Sequence, residues 1–273
     1  MRAFDVLRDA AARLADVSDT ARLDAELLMA HAAGITRGEL LLKLRDIEAP
    51  ADFAALAERR LAHEPVSHII GTRDFWTLTL RVTRDVLTPR PDSETLIEAA
   101  VEHFKGGVGP RRILDLGTGS GALLLAALDE WRDASGLGID CSEAALAVAQ
   151  ENAKNCNMAE RACFRPGNWT EGIEECFDLI LANPPYIKTS AQLPRDVAGY
   201  EPHLALFAGE DGLNAYRIIS KELGERLAPG GVAAIEIGYD QEKSAAQLFS
   251  DHGLKVTVKH DLAGLPRCLI LAR

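Results

Sequence analysis

The chain has 273 residues, and its 30 Lys and Arg against 41 Asp and Glu give a net charge of −11. Hydrophobic residues make up 47% and charged residues 26%, which is typical of globular proteins and excludes a collagen-like or disordered chain. The length predicts one large domain or two smaller ones. The acidic charge argues against a protein that holds bare nucleic acid through its overall field, because phosphate contacts need Lys and Arg.

One local stretch is nevertheless basic. It contains six arginines and only three acidic residues, and the arginines are Arg59, Arg60, Arg73, Arg81, Arg84 and Arg90. We favour solvated arginines on a surface hairpin over a nucleic-acid site.

The cysteines and the apolar runs indicate the cellular compartment of the protein. None of the five cysteines forms a CxxC pair, so we expect free thiols in a reducing cytosol and neither a disulfide framework nor a metal site. The N-terminus lacks the apolar core of a signal peptide, and no apolar run approaches the ~18 residues that span a membrane. These features predict a cytoplasmic protein without a membrane partner.

Residues 1–64 are predicted to form a small helical domain, because Leu7, Ala11 and Leu14 begin a series of apolar positions at helical spacing. Residues 65–87 are rich in β-branched and aromatic residues and predict a β-hairpin that links two domains. Residues 88–273 form the second predicted domain. It opens with TPRPDSETLIEAAVEHF, a helix that Asp92 or Ser93 can cap.

From residue 111 onward, short apolar strands alternate with amphipathic helices. This alternation predicts an α/β domain with a mostly parallel sheet. The last two strands, LKVTVKH and RCLILAR, are joined only by DLAGLP, which is too short for a parallel crossover. We therefore expect these two strands to form an antiparallel pair at the edge of the sheet.

The segment DLGTGSGA (115–122) lies where a predicted strand ends and a helix begins. Its three glycines allow a tight turn and a close approach of a ligand. Asp140 ends the next strand, where a carboxylate can accept both hydroxyls of a ribose. Asp115 would repel the pyrophosphate of a dinucleotide but suits the cationic S-adenosylmethionine, so we favour the latter.

A second loop, GNWTEG (167–172), follows another predicted strand. Trp169 could pack on an adenine ring, and the amide of Asn168 could bond its edge. Trp169 could equally well cover the hydrophobic core, and the residues alone leave both interpretations open.

The most informative segment is Asn183-Pro184-Pro185-Tyr186, which ends the strand FDLILAN. The prolines fix their own φ and restrict the residues before them, which gives a stiff extended corner. This corner offers the Asn183 side-chain oxygen and the Pro184 carbonyl oxygen as two acceptors, with Tyr186 as a flat wall. Such a pair can hold an NH2 group through both hydrogens and favour the positive charge that develops on nitrogen during methyl transfer.

A separate general base is not required, because an alkylated amide nitrogen is acidic enough to lose its proton to water. We therefore assign no catalytic histidine among the seven present.

The whole chain resembles the protein-(glutamine-N5) methyltransferases that modify peptide chain release factors, the PrmC (HemK) family. The matching segments include EPVSHIIG, RDFWTLTLRV, TPRPDSETLIE, DLGTGSGA, NPPYI, YEPHLALFAGEDGL and DLAGLPR. NPPY is shared with adenine-N6 methyltransferases, whereas PRPDSE and EPHLALFAGEDGL behind a helical N-terminal domain are more specific to the glutamine family.

The resemblance implies a Rossmann-like class I methyltransferase domain. It implies that the substrate is the glutamine of the Gly-Gly-Gln motif of class 1 release factors, and that S-adenosyl-L-homocysteine is the product. The expected cofactor contacts are Asp115, Gly117, Thr118, Gly119, Ser120, Gly121, Asp140, Asn168, Trp169 and Asn183. The expected catalytic residues are Asn183, Pro184 and Tyr186, which together with Pro185 hold the glutamine side chain.

Two alternatives remain within the enzyme class. One is a sibling glutamine methyltransferase that acts on a ribosomal protein, and the other is an adenine-N6 nucleic-acid methyltransferase. The charge of −11 and the lack of a recognition domain argue against the second. A module that binds adenosylmethionine without turnover, or a nicotinamide-dependent oxidoreductase, fits NPPY and Asp115 less well.

Overall fold

The computed structural model describes residues 2–273. The chain divides into two compact units. The first contains the residues up to Thr72 together with Leu193–Tyr200, and the second contains Arg73–Gln192 and Glu201–Arg273. No helix among residues 2–273 combines the length and the apolar character needed to cross a lipid bilayer.

The first unit is helical, as expected. Its first five helices are α1 (Ala3–Leu14), α2 (Ala21–Ala33), α3 (Arg37–Lys43), α4 (Phe53–Leu61) and α5 (Val66–Ile70). Gly34 ends α2 in the left-handed conformation, with φ of 65°. Thr36 and Glu39 then form a capping box that starts α3, since each side chain accepts the other's backbone N–H.

A buried ion pair ties two helices of this unit together. Arg60 Nε lies 2.7 Å from Asp24 Oδ2, and both side chains are buried. The hydroxyls of Ser18 and Thr20 also donate to Asp24. A buried carboxylate needs this many donors to offset its lost hydration.

The predicted hairpin starts later than the sequence suggested. Residues 66–70 form helix α5, because Ile69 packs into the core of the helical unit and Gly71 ends the helix with φ of 84°. The hairpin itself consists of β1 (Thr72–Phe75) and β2 (Leu78–Arg81). Asn152 holds it to the rest of the second unit, since its amide accepts from Arg81 N and donates to Arg81 O and Ser120 O.

The second unit is built on a seven-stranded sheet of order β5-β4-β3-β6-β7-β9-β8. Its strands are β3 (Arg112–Leu116), β4 (Ser135–Asp140), β5 (Ala162–Pro166), β6 (Phe177–Ala182), β7 (Leu227–Glu236), β8 (Lys255–His260) and β9 (Pro266–Ala272). β9 runs antiparallel to both β7 and β8, and the other pairings are parallel. The expected mostly parallel sheet with an antiparallel pair at its edge is confirmed.

Six further helices follow the hairpin along the chain: α6 (Glu94–His103), α7 (Ala122–Glu130), α8 (Glu143–Asn155), α9 (Arg195–Tyr200), α10 (Asn214–Arg226) and α11 (Glu242–Asp251). α9 belongs to the helical unit, where the Tyr200 hydroxyl donates to Ala62 O at 3.1 Å.

Both faces of the central strands are buried, which explains their continuous apolar runs. On β3, Ile113 packs with α6 and α7 on one face, whereas Leu114 packs with α10 and α11 on the other. The same alternation on β7 places Glu236 on the face covered by α6. A carboxylate therefore lies inside the second unit, close to where α6 begins.

Candidate active site

A cavity of about 360 Å³ opens at the carboxyl ends of the parallel strands. Part of its wall is formed by the loops after β3, β4, β5 and β6, which is where ligands bind in open α/β sheets. Most of the rest is formed by residues of the segments 75–93, which include Ser93, and 202–218. Predicted residues on this wall are Gly117, Thr118, Gly119, Ser120, Asp140, Asn168, Trp169, Asn183 and Pro185. The topology thus brings together four loops that are far apart in sequence.

The glycine loop is held by the neighbouring strand. The backbone N–H groups of Gly117 and Thr118 both donate to the carbonyl of Ile139, at 2.8 and 2.9 Å. Gly121 starts α7 with φ of 81°, and a Cβ there would lie 3.3 Å from Ala149. Gly121 does not line the cavity, so its glycine is explained by the close packing of α7 on α8.

Asp140 is fixed from both sides. Oδ2 accepts from the backbone N–H of Gly119 and Oδ1 accepts from that of Ser142, each at 2.9 Å. Each carboxylate oxygen retains a further lone pair, and the side chain is half-buried on the cavity wall. Asp140 is therefore an oriented acceptor for a pair of hydroxyl groups.

Asp115 lies beneath the loop and does not line the cavity. Its side chain is 1% exposed and accepts the Thr118 hydroxyl at 2.6 Å. Burial raises the pKa of Asp115 to about 7, the hydrogen bond from Thr118 opposes this, and the nearby charge of Asp140 adds to it. The position indicates that Asp115 supports the loop from below.

Trp169 lies between the hydrophobic core and the cavity. It adopts a left-handed backbone conformation with φ of 54°, and its ring packs over Gly117, where a Cβ would lie 3.3 Å from the ring. The ring also borders the hydrophobic core on one side of the sheet and lines the cavity. The same side chain therefore closes the core and presents a flat surface to a ligand.

The NPPY corner follows β6. Asn183 Nδ2 donates to Ser93 Oγ at 3.0 Å, and within residues 2–273 no donor contacts Asn183 Oδ1. The Pro184 carbonyl likewise accepts no hydrogen bond from the described residues. Gln241 Nε2 donates to the Tyr186 carbonyl at 3.0 Å and fixes the end of the corner. Asn183 Oδ1 is thus an open acceptor on a residue of the cavity wall, whereas Pro184, whose carbonyl is also open, and Tyr186 do not line the cavity.

Ser93 and Glu236 form a buried hydrogen-bond network beside the NPPY corner that the sequence analysis did not predict. Ser93 Oγ donates to Glu236 Oε2 at 2.5 Å, and the Tyr186 hydroxyl donates to Glu236 Oε1 at 3.3 Å. Burial raises the pKa of Glu236 to about 7, against the hydrogen bond from Ser93 and the charge of Arg267. Burial and the charge of Glu236 also raise the pKa of Tyr186, so its hydroxyl remains a donor. The signal in the sequence was the single carboxylate within the apolar strand VAAIEIG.

The PRPDSE segment does not cap its helix through Asp92 or Ser93, since neither side chain bonds the first turn of α6. Asp92 pairs with Arg267 at 3.1 Å, and Glu94 accepts the backbone N–H of Trp76 at 2.9 Å. Arg90 pairs with Glu201 at 2.6 Å. The charged side chains of this segment, Arg90, Asp92 and Glu94, thus contact residues that are distant in sequence.

At least four of the six arginines in the basic stretch are paired with carboxylates. The pairs are Arg59 with Glu64, Arg60 with Asp24, Arg81 with Glu151, and Arg90 with Glu201. The expected placement of these arginines on a surface hairpin is wrong for Arg59 and Arg60, which lie in α4, where Arg60 is buried. The pairings fit structural and solvated arginines better than a nucleic-acid site.

Comparisons with known proteins cover almost the whole chain. The family model described as PrmC N-terminal domain matches residues 5–71, and the one described as methyltransferase small domain matches residues 92–198. The chain is 46% identical over 281 residues to the release factor glutamine methyltransferase of Cereibacter sphaeroides, covering 100% of this chain and 99% of that protein. It is 45% identical over 248 residues to that of Caulobacter vibrioides, covering 88% and 86%.

Solved structures agree with the fold. The catalytic domain of hMettl16, in complex with an RNA hairpin, has a TM-score of 0.58 at 17% identity over 81% of this chain and 82% of that one. A methyltransferase from Pyrococcus furiosus has a TM-score of 0.55 at 19% identity over 80% and 98%. These likenesses confirm the Rossmann-like methyltransferase fold. The identity to curated relatives over nearly the full length shows that the protein is a methyltransferase and belongs to the family of release factor glutamine methyltransferases.

Proposed function

We propose that the protein transfers a methyl group from S-adenosyl-L-methionine to the side-chain amide nitrogen of the glutamine in the Gly-Gly-Gln motif of class 1 release factors. The observation that carries this proposal is that Asn183, on the cavity wall, and the adjacent Pro184 each have an oxygen, Oδ1 and O, that accepts no hydrogen bond within residues 2–273. A primary amide offers two N–H donors to such a pair. The curated relatives are named for this reaction, which supports the assignment.

The cavity residues fit S-adenosylmethionine. Its wall contains no Lys, Arg or His, and its charged residues are Asp85 and Asp140. An anionic pyrophosphate would find no counter-ion there, whereas a sulfonium and an amino group suit an acidic wall. Asp140 would hold the ribose hydroxyls, and Trp169 would lie against the adenine.

When bound, the cofactor supplies an electrophilic methyl group. The work of the protein is to hold the acceptor nitrogen in line with that methyl group, since orientation alone can lower the barrier substantially. Asn183 Oδ1 and Pro184 O accept the two N–H groups of the glutamine amide. The same two oxygens stabilise the positive charge that develops on the nitrogen as it is alkylated.

Proton removal needs no side chain of the cavity wall. Alkylation leaves the amide nitrogen cationic and strongly acidic, so its extra proton can pass to water. Tyr186 stays protonated because its pKa is raised, and it is engaged with Glu236, which leaves it the role of a wall and not of a base. The chain thus supplies orientation and charge stabilisation.

Labelled S-adenosylmethionine, the protein and a class 1 release factor test the proposal directly. We expect one added methyl on the glutamine of the Gly-Gly-Gln motif, located by mass spectrometry. A release factor with that glutamine replaced should remain unlabelled. Equal labelling of both factors would contradict the assignment of the substrate site.

The competing substrates are tested in the same assay. The net charge of −11 opposes binding of a phosphate backbone, so we expect no label on DNA or RNA. A ribosomal protein would serve as competitor, and preferential labelling of it would favour the sibling activity. A release-factor substrate would also account for the expected location in the cytoplasm.

A further inference from the structure

The Asn183 side-chain amide can direct either its oxygen or its nitrogen toward the methyl acceptor. Its oxygen and nitrogen have nearly the same shape but opposite hydrogen-bonding character. Only Oδ1 can accept an N–H of an incoming amide, whereas Nδ2 would repel it. The protein must therefore fix which end of the Asn183 side chain faces the acceptor, and a bare asparagine at the end of a strand does not do so.

Ser93 and Glu236 determine which end of the Asn183 amide faces the acceptor. Ser93 Oγ lies 3.0 Å from Asn183 Nδ2 and 2.5 Å from Glu236 Oε2. A hydroxyl has one proton. The ionised form of Glu236, which prevails above its pKa of about 7, takes that proton because a carboxylate accepts and does not donate. The lone pairs of Ser93 Oγ then remain to accept from Asn183 Nδ2. The carboxylate of Glu236 thereby sets the direction of both hydrogen bonds of Ser93.

Glu236 also contacts the other end of the tetrapeptide. The Tyr186 hydroxyl donates to Oε1 at 3.3 Å, so the two oxygens of one carboxylate serve Ser93 and Tyr186. Glu236 lies at the end of β7, Ser93 precedes α6, and Asn183 follows β6. The network therefore joins three elements that meet at the carboxyl edge of the sheet.

The surroundings of Glu236 do not explain it as an ordinary structural ion pair. Arg267 is close enough to lower the pKa of Glu236, but its hydrogen bonds and ion pairs are made with Asp92 and Asp261. The Tyr216 hydroxyl donates to the backbone oxygen of Glu236 and not to its carboxylate. Cys268 and Asp92 are further titratable neighbours of Glu236. A carboxylate that is 1% exposed thus has Ser93 and Tyr186 as its hydrogen-bond partners.

We infer that Glu236, acting through Ser93, is a positioning residue that orients the Asn183 amide with Oδ1 toward the methyl acceptor. The inference rests on the proposed function for the identity of that acceptor as an NH2 group. It goes beyond the acceptor pair of Asn183 and Pro184, called the clamp below, because Glu236 does not line the cavity and Ser93, which does, is assigned a contact with the Asn183 amide and none with the acceptor. They act on catalysis through the orientation of Asn183.

The first test is spectroscopic and needs no substrate. The side-chain NH2 resonances of Asn183 are identified by their loss in Asn183→Asp. We expect them to shift and to exchange faster with water in Ser93→Ala and in Glu236→Gln. Two matched controls should leave them unchanged. Ser220→Ala removes a buried hydroxyl that has no partner within residues 2–273, and Glu26→Gln neutralises a buried carboxylate of the helical unit.

The second test is kinetic. Ser93→Ala should lower kcat by about 10- to 100-fold, the range expected when a catalytic group loses its orientation. Binding of S-adenosylmethionine, measured by calorimetry, should not change. Glu236→Gln should retain more activity than Ser93→Ala, because the glutamine oxygen can still accept from Ser93. The two control variants should turn over like the wild type.

The outcomes separate the inference from the proposed function. A wild-type protein that labels no release factor contradicts the proposed function, while the amide resonances still report on the orientation of Asn183. Unchanged resonances or unchanged kcat in Ser93→Ala overturn the inference, even if the wild type methylates its substrate. Because Ser93→Ala only removes an oxygen atom, this variant keeps the test open if Glu236→Gln fails to fold.

Discussion

The guanidinium of Arg90 lies 2.6 Å from the carboxylate of Glu201, and this pair joins the segment before α6 to the segment that follows NPPY. The Glu201 side chain is 1% exposed, whereas that of Arg90 is 40% exposed. The partly exposed Arg90 therefore provides a counter-ion for the buried carboxylate of Glu201. Segments on both sides of it, with Pro89 and Pro202, line the cavity.

Replacement of Arg90 tests how much this pair stabilises the fold. Arg90→Ala should lower the free energy of unfolding by about 1.5 kcal/mol, the low end for hydrogen bonds to charged groups, since the arginine is partly solvated. Urea denaturation measures the difference. The matched control is Arg217→Ala, which breaks an exposed pair with Asp211 and should cost less. Equal losses in the two variants would contradict a special role for Arg90.

The clamp predicts a separation between binding and chemistry in Asn183→Ala. The variant loses one of two acceptor oxygens, so kcat should fall by about 100-fold or more, as for other removed groups that stabilise developing charge. Cofactor affinity, measured by calorimetry, should largely survive. Near-wild-type turnover would show that the acceptor is held elsewhere.

Asp140 is predicted to control cofactor affinity. Asp140→Ala should weaken binding of S-adenosylmethionine and S-adenosylhomocysteine by about 10- to 100-fold, because hydrogen bonds to a charged group contribute about 1.5–3 kcal/mol. Calorimetry should detect no binding of NAD to the wild type. Asp178→Asn is the control, since Asp178 also accepts two backbone N–H groups at 2.9 Å but lies outside the cavity wall. A similar loss of affinity in both variants would assign the effect to general destabilisation.

Two buried carboxyl groups make the stability depend on pH. Burial raises the pKa of Asp115 and of Glu236 to about 7 from ordinary values of 3.8 and 4.5. Between those limits the folded protein holds protons that the unfolded chain has released. Their contribution to stability is therefore complete below the ordinary values and is lost as the pH rises through about 7.

Asp115→Asn isolates one of these groups while retaining an acceptor for Thr118. The wild type should lose stability relative to this variant as the pH rises from about 5 to about 8, by on the order of 1 kcal/mol. Thermal unfolding of both proteins across this range measures the difference. A difference that stays constant with pH, or that changes in favour of the wild type, would contradict the raised pKa.

The sheet was predictable because its central strands are buried on both faces, so each appears as an apolar run that no surface helix would carry. The glycine loop and NPPY were predictable because their chemistry is local. The role of Ser93 was not, since its partner Glu236 lies 143 residues away and helix capping gave an equally good local explanation. Helix α5 was missed because tertiary packing of Ile69 outweighs the β-propensity of its sequence.

The assignment of Leu193–Tyr200 to the helical unit has a practical consequence for engineering. A gene fragment that begins after Thr72 would retain α9 but lose Ala62, whose carbonyl accepts the hydroxyl of Tyr200. A chimera that exchanges the helical units of two relatives must therefore transplant two stretches of sequence, with three junctions instead of one. The second stretch begins only seven residues after Tyr186, so such an exchange would alter the chain immediately downstream of the clamp.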